Sequence, residues 1–272
     1  MVGLGYFITG TDTGVGKTVF TCLLARSVAF RSAKGRPFGE QKATLARVAA
    51  YKPVCSGATY REGEAPAEPR AGGDAHPGKR RGGSLALPQW SDVDALYAAT
   101  AAAFPRERLC PQTFLAPLSP PAAAALEGRE VDEALLVAGY LWLAERAEII
   151  LVEGAGGFYS PISTHWLNAD LAERLGLPVL IVAPNRLGTI NQTLLTIEAI
   201  RQRGLTVAGV ILNHLCESDD PSHATNAAEI QQRGRVRLWG EIPFIPTAEL
   251  QSRSLPESMI CELWNFGSEV DS

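Results

Sequence analysis

The chain has 272 residues, 46% of them hydrophobic, with a formal net charge of −4 and a pI near 5.7. That length suffices for one large α/β domain that buries most of its apolar surface, and the lack of excess positive charge argues against a nucleic-acid partner. The five cysteines (Cys22, Cys55, Cys110, Cys216 and Cys261) are scattered, odd in number and without C-x-x-C or zinc-type spacing, which argues against a disulfide framework and fits a reducing compartment.

No apolar run reaches the roughly 20 residues that span a bilayer, and the first residues lack a signal-peptide pattern. The expectation is a soluble, cytoplasmic protein with small-molecule partners, no nucleic acid and no membrane.

The first predicted element is a buried strand over 4–10, "LGYFITG", followed by "GTDTGVGKT" (10–18) and a helix over 17–30. The standard phosphate-binding loop reads G-x-x-x-x-G-K-[ST], and here Thr11 stands where its first glycine would be. The chemistry survives that change. A strand-to-helix junction presents unpaired backbone N–H groups and the positive end of a helix dipole, which favour phosphate. Gly14, Val15 and Gly16 supply the cradle, with the two glycines allowing close approach. Lys17 reaches the outer phosphates and the Thr18 hydroxyl is placed for Mg²⁺. Thr13 offers a hydroxyl toward the space where a phosphoryl acceptor would wait. The plainer reading is a glycine turn before a helix.

The stretch 31–50 is basic and longer than a usual helix-to-strand connection, and it reads as a solvated insertion. "YKPVCSG" (51–57) follows as a short strand opening into a loop beside the first strand, with Lys52 a point charge for a transferring phosphoryl group and Ser56 nearby. Residues 61–88 are rich in Gly, Pro and charge, and read as a disordered surface insertion.

Short Val, Ile and Leu runs at 148–155, 178–184 and 206–214 alternate with helices at 165–175, 188–203 and 221–233; a last strand lies within 236–246 and a helix around 255–265. This alternation predicts a doubly wound, mostly parallel α/β sheet in a single P-loop NTPase-like domain over 1–272. Glu153, in "LVEGAGG", falls at the carboxyl end of a buried strand, where such sheets bind ligands. Its charge needs a partner, either Mg²⁺ on nucleotide phosphates or a core lysine or arginine. The four histidines form no ligand spacing.

Taken together and in this order, G-T-D-T-G-V-G-K-T, Y-K-P-V-C-S-G, P-Q-T-F-L-A-P-L-S-P, L-V-E-G-A-G-G and R-L-G-T-I-N closely resemble the dethiobiotin synthetase family, within the deviant P-loop NTPase group. The resemblance implies ATP-dependent carboxylation and ring closure of 7,8-diaminononanoate with CO₂, through a carbamate and a carbamic–phosphoric mixed anhydride. It implies Mg²⁺ held by Thr18, Glu153 and an aspartate of "SDVDAL", for which Asp94, preceding Ala-Leu, is chosen over Asp92. Lys17, Lys52 and Thr13 would be catalytic, with Thr13 and Ser56 on the carbamate. Asn213 and Pro243 would meet adenine. Gly188, Thr189, Ile190 and Asn191 would hold the substrate carboxylate across a homodimer interface. Pro121 and Gln192 stand where the family pattern usually has histidine.

Three other readings share the phosphate loop. A corrinoid amidating synthase would need a glutaminase domain for which no length remains. A ParA- or MinD-type switch would carry an extra lysine early in the loop, where this chain has Gly10, Thr11 and Asp12, and often a membrane tether. A nucleotide-binding protein without catalysis would not need Lys17, Lys52 and Glu153 together.

Overall fold

The computed structural model describes residues 4–33, 47–59 and 89–262. The insertion expected at 61–88 lies outside the described residues, as do positions 34–46 of the basic stretch and the end of the helix expected near 255–265, which is helical over 257–262.

The elements run β1 (Leu4–Gly10), α1 (Lys17–Ala33), β2 (Val48–Tyr51), β3 (Cys55–Ser56), α2 (Ser91–Ala99), α3 (Arg106–Leu109), β4 (Thr113–Phe114), α4 (Pro120–Leu126), α5 (Glu133–Ala144) and β5 (Ile149–Gly157). They continue with α6 (Asn168–Leu175), β6 (Val179–Pro184), α7 (Thr189–Gln202), β7 (Val207–Asn213), α8 (His223–Gly234) and β8 (Leu238–Ile242). Six strands form one sheet in the order β2-β5-β1-β6-β7-β8, and every pairing in it is parallel. The doubly wound α/β expectation therefore holds.

Both faces of the sheet are covered, as all-parallel sheets require. Strand side chains alternate between faces: Tyr6 and Ile8 of β1, with Leu180 and Val182 of β6, pack with α1, whereas Phe7, Val179 and Ile181 point into the opposite layer with α5 and α6. Helix α1 contributes Phe20, Leu23, Leu24 and Val28, spaced to form one apolar stripe. Helix α5 buries Leu136, Gly139, Tyr140 and Leu143. Tyr51, fully buried at the end of β2, donates its hydroxyl to the Leu136 carbonyl (2.8 Å) and so ties the outer strand to α5. Among the described residues no helix is long and apolar enough to cross a membrane.

Two features correct the sequence reading. The strand before Lys52 does not lie beside the first strand: β2 pairs with β5, Val48 to Ile149 through Tyr51 to Val152, and β5 separates it from β1. A four-residue strand followed at once by Lys52-Pro53 suits an edge, because proline cannot donate a ladder bond. The connection from β2 to β5 also holds structure that periodicity did not reveal, namely α2 to α5 and the small parallel β3–β4 pair.

Gly209 in β7 shows how tightly the layers close: a Cβ there would lie 2.3 Å from Trp239 Cδ1, and the Trp239 indole N–H is fixed to the Ala208 carbonyl (3.1 Å). Gly209→Ala should destabilise the chain by about 1–3 kcal/mol through overpacking. Urea unfolding measures this, and an unchanged midpoint would show that the indole can move aside.

Candidate active site

The loop between β1 and α1 opens on the carboxyl side of the sheet. Its start is anchored by Thr11 N–H donating to the Val182 carbonyl (3.1 Å), and Val15 plugs it into the core at 2% exposure. Gly14 and Gly16 have φ of 73° and 93°, the left-handed region that favours glycine. Gly16 is also required sterically, since a Cβ there would fall 2.0 Å from Asn213 Nδ2, which donates to the Val15 carbonyl (3.0 Å). Lys17, at the first turn of α1, reaches back across the loop and donates to the Asp12 carbonyl (2.9 Å). The Asp12 carboxylate accepts from Thr13 N–H (2.7 Å).

Beside this loop lies a cavity of about 660 Å³ whose lining includes Thr13, Gly14, Gly16, Lys17, Thr18, Lys52, Ser56, Asp92 and Glu153. Three elements converge on its floor. Glu153, 1% exposed in β5, accepts at Oε1 from the Thr18 hydroxyl (2.7 Å) on one side and from Lys52 Nζ (2.9 Å) on the other. Lys52 also pairs with the Asp92 carboxylate at the start of α2. Ser56 donates to the Leu118 carbonyl (2.6 Å), joining β3 to the P-Q-T-F-L-A-P-L-S-P segment, whose Pro117 to Pro120 form the opposite wall.

Burial pushes the Lys17 amine below its ordinary value, against the opposing pull of Glu153. Burial acts on Lys52 in the same sense, but the Glu153 and Asp92 carboxylates outweigh it and hold the ammonium well above the lysine range. Lys52 is therefore a permanent positive charge, suited to attracting anionic oxygen and unsuited to taking a proton.

Glu153 Oε2 is buried without a hydrogen-bond partner among the described residues. Buried carboxylate oxygens need a partner, and a hard cation placed there would supply one. Thr18, Glu153 and Asp92 offer only oxygen donors, the set that suits Mg²⁺. Among the described residues no three His, Cys, Asp or Glu side chains group as a metal site. The set thus fits an ion that takes its remaining ligands from water and phosphates, as Mg²⁺ commonly does.

The geometry separates the two aspartates. Asp94 does not face the cavity: it pairs with Arg106 (2.9 Å) at a half-exposed surface, while Asp92 lines the cavity. Two helical positions are about 200° apart around the axis, so only one of these side chains can face Lys52. A helix beginning at Ser91 points Asp92 there, a start that the apolar pattern alone did not locate.

The structure gathers Thr13, Gly14, Gly16, Lys17, Thr18, Lys52, Ser56 and Glu153 around one cavity and leaves four other groups outside it. The Val15 side chain points into the core. Asn213 ends β7 behind the loop, and Pro243 is exposed just after β8. Gly188 (φ 93°) caps α7, Thr189 is fully buried, Ile190 is half-buried and Asn191 is exposed. Gln192 lines a second cavity, of about 720 Å³, with Thr11, Asp12, Tyr159 and Ser160. The sequence reading also missed the polar cluster at the ends of β6 to β8, where Asn185 Nδ2 donates to Glu241 Oε2 (3.0 Å) and Asn226 donates to Asn185 Oδ1 (2.8 Å).

The family described as an AAA domain matches residues 4–252. Among solved structures the chain is similar to the MinC:MinD cell division protein complex of Aquifex aeolicus, with a TM-score of 0.49 and 14% identity over 97% of this chain and 96% of that one. Similarity to curated proteins is much higher. The ATP-dependent dethiobiotin synthetase BioD of an Anaeromyxobacter species is 44% identical over 247 residues, 91% of each chain. That of Anaeromyxobacter dehalogenans is 40% identical over 92% of this chain and 95% of its own. The Escherichia coli protein named ATP-dependent dethiobiotin synthetase BioD 1 is 35% identical over 88% of this chain and 90% of its own. With identities of 35–44% over 88–92% of its length, this chain belongs to the ATP-dependent dethiobiotin synthetase family.

Proposed function

We propose that the chain closes the ureido ring of dethiobiotin, using ATP and CO₂ on 7,8-diaminononanoate and releasing ADP and phosphate. Family membership supports the reaction, and one observation carries the assignment to this cavity: the loop lysine Lys17 and the permanently charged Lys52 face the same space as Thr18 and Glu153. One substrate amine adds to CO₂ and loses a proton, giving a carbamate. A carbamate oxygen attacks the γ-phosphorus of ATP, the bond to the ADP oxygen breaks, and a mixed anhydride forms. The second amine then attacks the anhydride carbon, phosphate departs, and the amine proton is lost as the urea closes.

Each step gathers negative charge, so positioning and electrostatic stabilisation carry the catalysis. Lys17 would exchange the Asp12 carbonyl for phosphate oxygens. Lys52 would stabilise charge on the transferring group, and Thr13 and Ser56 would orient the carbamate. Thr18, Glu153 and Asp92 would hold Mg²⁺, which when bound neutralises phosphate charge. Asn213 and Pro243, at the ends of β7 and β8, would meet the adenine end of the nucleotide.

The chain would act as a cytoplasmic homodimer in which Gly188 to Asn191 of one protomer meet the substrate carboxylate of the other. The exposed apolar side chains near that segment support an interface, with Leu187 at 82% and Leu195 at 59% exposure.

Phosphate release with Mg²⁺ and bicarbonate, with and without the diamine, together with mass detection of the cyclic urea, tests the reaction. Release that requires the diamine and matches urea formed is the expected result; diamine-independent release without urea would return the chain to the nucleotide switches. Lys17→Ala should lower turnover by about 10²–10³-fold or more and weaken ATP binding, and unchanged kinetics would remove the loop from the mechanism. Lys52→Ala should reduce turnover more than ATP affinity, and a change confined to nucleotide binding would refute its place at the transferring group. Asp92→Asn should raise the Mg²⁺ concentration needed for half-maximal activity by about tenfold or more, while Asp94→Asn leaves it unchanged. The reverse pattern would reinstate Asp94.

A further inference from the structure

The segment after Glu153, the end of β5 and the turn that follows it, separates the two cavities. Gly154, Ala155 and Gly156 face the cavity of Lys17 and Lys52, Gly157, Phe158 and Tyr159 face the second one, and Ser160 and Pro161 border both. A segment rich in glycine has little intrinsic reason to keep one conformation, and beyond the pairing of Gly157 with Gly10 of β1 its shape here is held by a side chain in another element.

Asn168, the first residue of α6, is fully buried beneath this segment. Its Oδ1 accepts from Ala155 N–H (2.9 Å), and its Nδ2 donates to the carbonyls of Ala155 (2.7 Å), Ser160 (3.0 Å) and Gly157 (3.1 Å). Its backbone N–H donates to the Ser160 carbonyl as well (3.0 Å). One amide side chain thus satisfies backbone groups at both ends of the wall, and the arrangement of one donor and three acceptors around it leaves a single sense for the amide. The Ser160 hydroxyl, held in place by this contact, accepts from Gly157 N–H (2.9 Å) and closes the turn. Gly154 packs so tightly that a Cβ there would lie 2.8 Å from Asn168 Oδ1 and 3.2 Å from the Phe7 ring.

We propose that Asn168 is a positioning residue for the reaction: it clamps the wall between the two cavities and thereby sets where the diamine lies relative to the transferring phosphoryl group. The inference rests on the synthetase reading given above. Asn168 touches no reactant. It acts through the backbone of residues 155–160, which carry neither Lys17, Lys52 nor the phosphate loop, so its loss should disturb the acceptor side and spare the nucleotide.

The test compares the wild-type chain with Asn168→Ala and with Asn168→Asp, which keeps the shape and the acceptor but cannot donate to the three carbonyls when ionised. Amide hydrogen exchange over 155–160 and steady-state kinetics are read well below each variant's Tm. The expected result is faster exchange confined to that wall, a turnover loss of about 10²-fold from misplacement of the order of 1 Å, and a KM for ATP within about threefold of wild type. Unchanged exchange in a folded variant would overturn the clamp. Faster exchange with full turnover, or a loss of ATP binding equal to the loss of turnover, would make Asn168 merely structural. Should Asn168→Ala fail to fold, the Asp variant decides by the same criteria. A wild type that forms no cyclic urea would overturn the synthetase reading and the reaction role with it, while exchange still decides the clamp.

Discussion

A carboxylate buried to 1% exposure within a central strand is the constraint around which this molecule is organised. An uncompensated charge in that position costs several kcal/mol, and Glu153 is compensated from both sides. Strand β5 lies between β1 and β2, so the helix following β1 brings the Thr18 hydroxyl from one flank and the residue following β2 brings the Lys52 ammonium from the other. The strand order therefore has a chemical consequence. If β2 lay next to β1, as its sequence position suggests, Lys52 and Glu153 would sit on opposite sides of the first strand and the pair could not form.

The parts of the fold legible in the sequence are those whose cause is local. The segment from Leu4 to Ala33 announces itself through a buried strand, a glycine loop and an apolar stripe, and β5 to β7 through short branched-aliphatic runs. Lys17 and Thr18 follow from those elements because they stand at a helix start, and Glu153 because it is a lone carboxylate within an apolar strand run. What was not legible depends on contacts between distant segments. Helix α4, "PPAAAAL", carries no large periodic side chain, and β3 and β4 are two residues each, held by one another and by the chain around them.

The different positions of the two aspartates have the same origin. Asp92 and Asp94 are equivalent as letters, and a match to Ala-Leu favours the second. Only the position of α2 against the cavity, fixed by Leu96 and Ala99 packing on the α1 layer, turns Asp92 toward Lys52 and gives Asp94 to Arg106. Asn168 was invisible for a further reason: within "LNADLAERL" it reads as an ordinary polar residue near a helix start, and its burial is set by a segment more than ten residues upstream.

The bond from Lys17 to the Asp12 carbonyl bears on how a ligand can enter. The loop is closed over its own lysine, with Val15 seated in the core and Asn213 bracing it from behind. Arrival of a phosphate would then be an exchange of acceptors by one ammonium rather than a folding event. Such a site resembles a latch resting on its own frame: the conformational entropy of the loop has been surrendered during folding, and association can proceed at a rate set by diffusion and charge instead of by a search among loop shapes.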